Sequence, residues 1–229
     1  MNLKSLIFSL LFYLNVLFVI GTTLHDYFNV SNKKNKYQLT ENEIVIGDQV
    51  WMKKNLDTKL FRNGDSIQHC ITNKQWEEAY KNKTPAWCYY NNDQLNKQKY
   101  GIIYNWYAVS DSRGLAPEGW DIPSNKDWDK LIKSIGGYEK AGGRLKNEKY
   151  FNTLIGDDNE QSSQSILSGA RNLEGYFLYL NLSGGWWSKT EKSKDDSWFI
   201  YLYHDNDLVV KAFQEKGFGL SVRCIKIKK

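Results

Sequence analysis

Aromatic side chains constrain this sequence more than any other feature. It carries 9 Trp, 15 Tyr and 10 Phe, which together make up 15% of its 229 residues. Each large ring buries on the order of 150–250 Å² when packed, and disordered chains are poor in such rings. The chain must therefore build a sizeable interior. With 3 Pro and 17 Gly it is neither collagen-like nor a Pro-rich disordered segment. An apolar fraction of 41% and a mean hydropathy of −0.61 exclude a multi-span membrane protein.

The first residues read differently from the rest. Met1–Lys4 is a short basic start, and Ser5–Ile20 is apolar apart from Ser9 and Asn15. This is the pattern of a secretory signal peptide with a cut after Gly21, so residues 1–21 are set aside from the fold. Left uncut, the run is barely long enough to span a bilayer, and it is the one route to membrane attachment. The first cysteine is Cys70, too distant for lipid attachment behind the apolar run. Residues 22–42 are polar and rich in Asn and Lys, as expected of a linker, and residues 43–229 form the domain. The expected location is secreted or cell-surface. The formal charge is +5, with the densest basic runs at the two ends. No basic face carries readable nucleic-acid motifs, so nucleic acid is not an expected partner.

Within the domain, Ile44–Ile46, Gly47-Asp48 and Gln49–Met52 predict a tight β-hairpin. Thr72 with Gln75 forms a capping-box pattern opening a helix to about Lys81, with Trp76 and Tyr80 on its inner face. Ala86–Tyr90 and Ile102–Ala108 read as strands, separated by the polar loop Asn91–Lys99. Ser124 caps a second helix whose stripe is Trp128, Leu131, Ile132 and Ile135, and Gly136-Gly137 ends it. A short helix is expected over Glu139–Lys146, and a polar excursion over Phe151–Gln164. Strands follow at Trp186–Ser188, at Ser197–Tyr203 and Leu208–Phe213 around a turn at His204–Asp207, and at Leu220–Ile227. Helices between two sets of strands describe an α+β domain whose terminal strands pair.

Seven ordered segments carry a resemblance: Ala86–Asp93, Tyr100–Val109, Arg113–Trp120, Pro123-Ser124 with Asp127-Trp128, Ala141–Gly143, Gly185–Ser188 and Ser221–Cys224. Together they resemble the Fibrobacter succinogenes major paralogous domain family, over about Ile44 to Lys228. The resemblance implies an exported, often surface-associated protein with a C-type-lectin-like fold: antiparallel sheets, two or three short helices and long loops. That fold is shared with formylglycine-generating enzymes. The chain departs from the family at Asp121, where His is usual, at Ser168–Arg171, at Lys189 and at Gly219-Leu220.

Cysteine number alone allows one internal bridge and a spare thiol, or three free thiols. The family pattern has cysteine at positions 88 and 224, so the resemblance implies a Cys88–Cys224 disulfide with Cys70 left over. Closing that loop would stabilise by roughly 4–5 kcal/mol.

Trp186 and Trp187 are adjacent in a strand and must point to opposite faces. Along Ser197–Tyr203, Trp198, Ile200 and Leu202 share one face while Phe199, Tyr201 and Tyr203 share the other. Exposed aromatic platforms suit the C–H faces of sugars, so Trp186, Trp187, Phe199, Tyr201 and Tyr203 are the candidate ligand contacts. The acidic stretches Asp157–Glu160, Asp195-Asp196 and Asp205–Asp207 match no calcium-loop spacing. Ca²⁺ therefore stays a minor alternative, and no other cofactor and no metal site is expected. His25, His69 and His204 do not cluster with the cysteines, and no nucleophile elbow, metalloprotease helix or phosphate loop occurs. The expectation is a non-catalytic surface module that binds glycan or another surface protein. The alternatives are a display scaffold without a fixed ligand and an enzyme related to formylglycine-generating enzymes.

Overall fold

The computed structural model describes residues 39–40, 42–146 and 167–227. The signal segment, nearly all of the linker and the stretch 151–164, including Asp157–Glu160, lie outside the described residues.

Thirteen strands and five α-helices are described, in the order β1 (Glu43–Ile46), β2 (Gln49–Met52), β3 (Gln68–His69), α1 (Asn73–Lys81), β4 (Ala86–Cys88), α2 (Asn96–Tyr100), β5 (Ile103–Asn105), α3 (Trp106–Val109), β6 (Trp120–Asp121), α4 (Asn125–Ser134), α5 (Ala141–Lys146), β7 (Ser168–Arg171), β8 (Phe177–Leu180), β9 (Ser183–Glu191), β10 (Asp196–Tyr203), β11 (Val209–Glu215), β12 (Gly219–Leu220) and β13 (Ile225–Lys226). One sheet has the order β1-β2-β13-β6, and the other runs β11-β10-β9-β7-β12-β5-β4-β3 with β8 beside β7. Pairing is mostly antiparallel; the parallel exceptions among the described residues are β3 with β4, one residue pair of β7 with β9, and an isolated bridge of Trp186 with Ser221. The domain is α+β, with mostly antiparallel sheets and few short helices.

Local chemistry explains the elements. The hairpin β1–β2 closes with Ile46 opposite Gln49, and Gly47 sits at φ +63° in the turn. In α1 the Thr72 hydroxyl accepts from Gln75 N at 3.2 Å, and Gln75 Oε1 accepts from Thr72 N at 3.1 Å. Ser124 and Asp127 form the same reciprocal cap on α4. The strand expected over Ala86–Tyr90 ends at Cys88, and the one expected over Ile102–Ala108 ends at Asn105. Asn105 Oδ1 accepts from Ala108 N at 3.1 Å and from Ala86 N at 3.0 Å, which caps α3 and turns the chain from strand to helix at Trp106. The last strand divides in two: Leu220 pairs with Tyr104 of β5, whereas Ile225 pairs with Trp51 of β2. The final strand thereby pairs with the first hairpin and brings the ends of the domain together, as its strand placement predicts.

Rings fill the interior on both sides of β9. Trp51, Trp128 and Trp186 pack in series, with centroids 4.8 and 6.2 Å apart, among Leu131, Ile132, Ile200 and Leu202. Trp187 lies on the other side with Trp87, Tyr104 and Trp106. A buried polar hub holds these layers in register. Asn55 Oδ1 accepts from Trp186 Nε1 (2.8 Å) and from Arg223 Nε and Nη2 (3.1 and 2.6 Å), while its amide donates to Tyr100 O and Ser221 Oγ. One short side chain thus ties the segment after β2 to β9 and to the stretch between β12 and β13.

The Cys88–Cys224 disulfide is not formed; all three cysteines are buried free thiols. The strand alternation gives the reason. Trp87 and Tyr89 point into the cluster that contains Cys224, so Cys88 between them points out of it, into a separate cluster with Cys70, Trp76 and Ala79. The sheet itself stands between the two sulfurs.

Candidate functional site

Residues of β10 alternate between a helix-covered side and a more open one. Ile200 and Leu202 are buried beneath α4 and α5, while Phe199, Tyr201 and Tyr203 form a row on the opposite side. The Phe199 and Tyr201 rings stack at 5.4 Å with 21° between planes, and Tyr203 meets Tyr201 edge-on at 5.2 Å. Exposure rises along the row, from half-buried Phe199 and Tyr201 to Tyr203 at 42%. Phe199 lies between Ala212 and the buried Trp187, whereas the cross-strand partners further along the row are small or aliphatic: Val210 and Gly185 opposite Tyr201, and Ser183 opposite Tyr203. Burial and the neighbouring Tyr203 hydroxyl push the Tyr201 phenol up, which keeps it a neutral hydrogen-bonding hydroxyl at ordinary pH. The arrangement offers ring faces with polar tips and no charge in the row.

Two of the five expected contacts are not available to a ligand. Trp186 and Trp187 do point to opposite faces, but both are fully buried. The expectation of an exposed ring at this pair fails because both faces of β9 are covered at that level. Each indole is also engaged: Trp186 Nε1 donates to Asn55 Oδ1, and Trp187 Nε1 to Tyr104 O at 2.9 Å. Trp187 is the β9 partner of Phe199 and flanks the buried end of the row, with its ring edge-on at 6.1 Å from Phe199.

The turn at the open end of the row is fixed by α5. Lys146 Nζ donates to the carbonyls of Tyr203 (2.9 Å), His204 (3.2 Å) and Asn206 (2.6 Å). Gly142 and Gly143 permit that approach, since a Cβ on Gly142 would lie 2.6 Å from Asp207 O. On β11, Lys211 Nζ reaches Asp129 Oδ1 of α4 at 2.6 Å. Burial pushes the Asp129 carboxyl up, but hydrogen bonds from Lys211 and Tyr138 outweigh it and hold the group below its ordinary value. The acidic residues of the turn serve local geometry: Asp205 Oδ1 accepts from Asn206 Nδ2, and Asn206 Oδ1 accepts from Leu208 N. At Asp195-Asp196, Asp196 accepts from Ser193 Oγ. Among the described residues no group of three or more His, Cys, Asp or Glu is placed to hold a metal ion.

Two further aromatic spots escaped sequence reasoning. Trp198 and Phe213 meet edge-on at 5.8 Å on the other side of the β10–β11 hairpin, with Lys192 Nζ over both rings. Their cross-strand register could have been read once the hairpin was recognised. His69 lies flat on Trp87 at 3.8 Å and 1°, with Lys59 Nζ 5.2 Å from the indole. No local signal in the sequence announces that contact, because it depends on the parallel pairing of β3 with β4.

The Fibrobacter succinogenes major domain model matches residues 44–226. The chain belongs to this family. No curated protein and no solved structure matches it. Within the family frame, two of the departures noted from the sequence meet in space: the Lys189 ammonium of β9 binds the Asp121 carboxylate of β6. Asp121 Oδ1 also accepts from Ile122 N at 2.8 Å.

Proposed function

We propose that this family member is an exported, non-catalytic module of C-type-lectin-like fold that binds glycan at the cell surface through Phe199, Tyr201 and Tyr203. The carrying observation is the graded row of three rings on one side of β10, uncharged and flanked by Gly185 and Ala212. Sugar C–H faces stack on such rings, and the two phenols supply donors and acceptors for the ring hydroxyls. The apolar start of the sequence supports export.

Thiol chemistry supports the non-catalytic part. Burial pushes Cys88 and Cys224 up to about 12, and the two sulfurs belong to clusters on different sides of the sheet. A reactive thiol pair needs thiolate character and access, and these two lack both.

A glycan array probed with the full chain is expected to give positive spots. Tyr201→Ala and Tyr203→Ala should each weaken the strongest of them about tenfold, equivalent to ~1.4 kcal/mol, with thermal stability nearly unchanged for Tyr203→Ala. A blank array from folded protein, together with capture of a surface protein that both variants abolish, would replace glycan with a protein partner. Binding untouched by either variant would move the site off this row.

A further inference from the structure

We propose that Cys70 and Cys88, both free thiols in this structure, are a pair that on oxidation forms a disulfide stapling β3 to β4. Strands β3 and β4 pair in parallel, with Gln68 beside Ala86 and His69 beside Trp87. Cys70 N donates to Trp87 O at 3.0 Å, the bond that closes the His69–Trp87 pair, so the next residues of the two chains, Cys70 and Cys88, follow side by side. The faces agree as well. His69 and Trp87 stack on one side, so the next residue of each strand turns to the other. Both cysteines are fully buried there, in one cluster with Trp76, Ala79, Tyr90 and Ile103. Neighbouring strands run about 4.8 Å apart, inside the Cα separation of about 4.4–6.8 Å that a disulfide bridges. Cys224 is excluded, since it lies across the sheet.

The chemistry needs an oxidant, and a low-molecular-weight or protein disulfide serves. One cysteine thiolate attacks a sulfur of that disulfide, forms a mixed disulfide and releases one thiol. The second cysteine then attacks the protein sulfur of the mixed disulfide and releases the other thiol. Two electrons and two protons leave the cysteine pair, and the oxidant is reduced to two thiols. In the closed sheet the step is slow: burial pushes Cys70 up to about 11 and Cys88 to about 12, against the weaker opposing field of the Arg171 guanidinium. The bond therefore forms while β3 is still docking on β4. Its occurrence in the cell rests on the exported location proposed above, because disulfides persist in oxidising compartments. Its geometry does not.

The test supplies the oxidant in the buffer. Full-length chain is unfolded, refolded in mixed oxidised and reduced glutathione, blocked with an alkylating agent and mapped without reduction. The expected product is one cross-linked peptide pair joining Cys70 to Cys88, with Cys224 recovered as a free thiol. Cys224→Ser should retain the cross-link, Cys70→Ala should remove it, and reductant should lower the unfolding midpoint of the cross-linked protein alone. Three alkylated cysteines in protein with a native near-ultraviolet spectrum, or a cross-link that includes Cys224, would overturn the assignment. Neither result bears on glycan binding, which the array reads separately.

Discussion

Asn55→Ala is expected to destabilise the domain by about 3 kcal/mol or more, a large share of the roughly 5–15 kcal/mol that holds an ordinary domain together. Asn55 Oδ1 is the shared acceptor of Trp186 Nε1 and of two Arg223 nitrogens, all of them buried. Truncation removes that acceptor from a buried cation and an indole at once. It also removes the donor that serves Tyr100 O and Ser221 Oγ. Asn55→Asp keeps the acceptor and should cost clearly less than Asn55→Ala. Denaturant titration of the three proteins decides the matter. Equal losses in the two variants, or a loss under about 1 kcal/mol for Asn55→Ala, would mean that the hub does not hold the layers together.

Gly169→Ala should produce the next largest loss, about 2–4 kcal/mol, from two separate causes. Gly169 has φ +64°, a region costing L residues roughly 1–2 kcal/mol. A Cβ there would also lie 2.4 Å from Leu178 O and 2.7 Å from Tyr90 Cε2, where β7 pairs with β8, and such overpacking costs about 1–3 kcal/mol. Gly64→Ala isolates the first cause, because φ is +91° there and no atom lies within 4 Å of the added carbon. It should lose about 1 kcal/mol. A Gly169→Ala loss no larger than that of Gly64→Ala would show that β8 does not press on β7 as described.

Local signals in the sequence are short-range, and they placed the short-range structure. Thr72 with Gln75, Ser124 with Asp127 and the Gly47 turn each act within four residues, so α1, α4 and the first hairpin were legible. The turn at His204–Asp207 was legible for the same reason. What sequence missed depends on distant partners. Strands β3, β6 and β12 are two residues long and exist only because β4, β13 and β5 lie beside them. Strand β7 contains Gly169 and the fully buried Arg171, neither of which reads as strand in isolation. Arg171 is held by the carbonyls of Cys70, Thr72 and Gly175, and the first two lie about a hundred residues away. Alternation correctly divided Phe199, Tyr201 and Tyr203 from Ile200 and Leu202. It could not say what covers each side of β9, which is why Trp186 and Trp187 were expected at a surface and are found inside. The cysteine pairing failed likewise: a family pattern gives positions, whereas the face on which Cys88 lies follows from Trp87 and Tyr89 beside it.

Hydroxyl-radical footprinting of the full chain, with and without its strongest array glycan, probes the three-ring surface most directly. Phe199, Tyr201 and Tyr203 should oxidise in the free protein, Tyr203 fastest, and all three should be protected in the complex, while Trp186 and Trp187 stay inert in both samples. Rapid oxidation of either tryptophan in the free chain, or glycan protection confined to Trp198 and Phe213, would contradict that assignment.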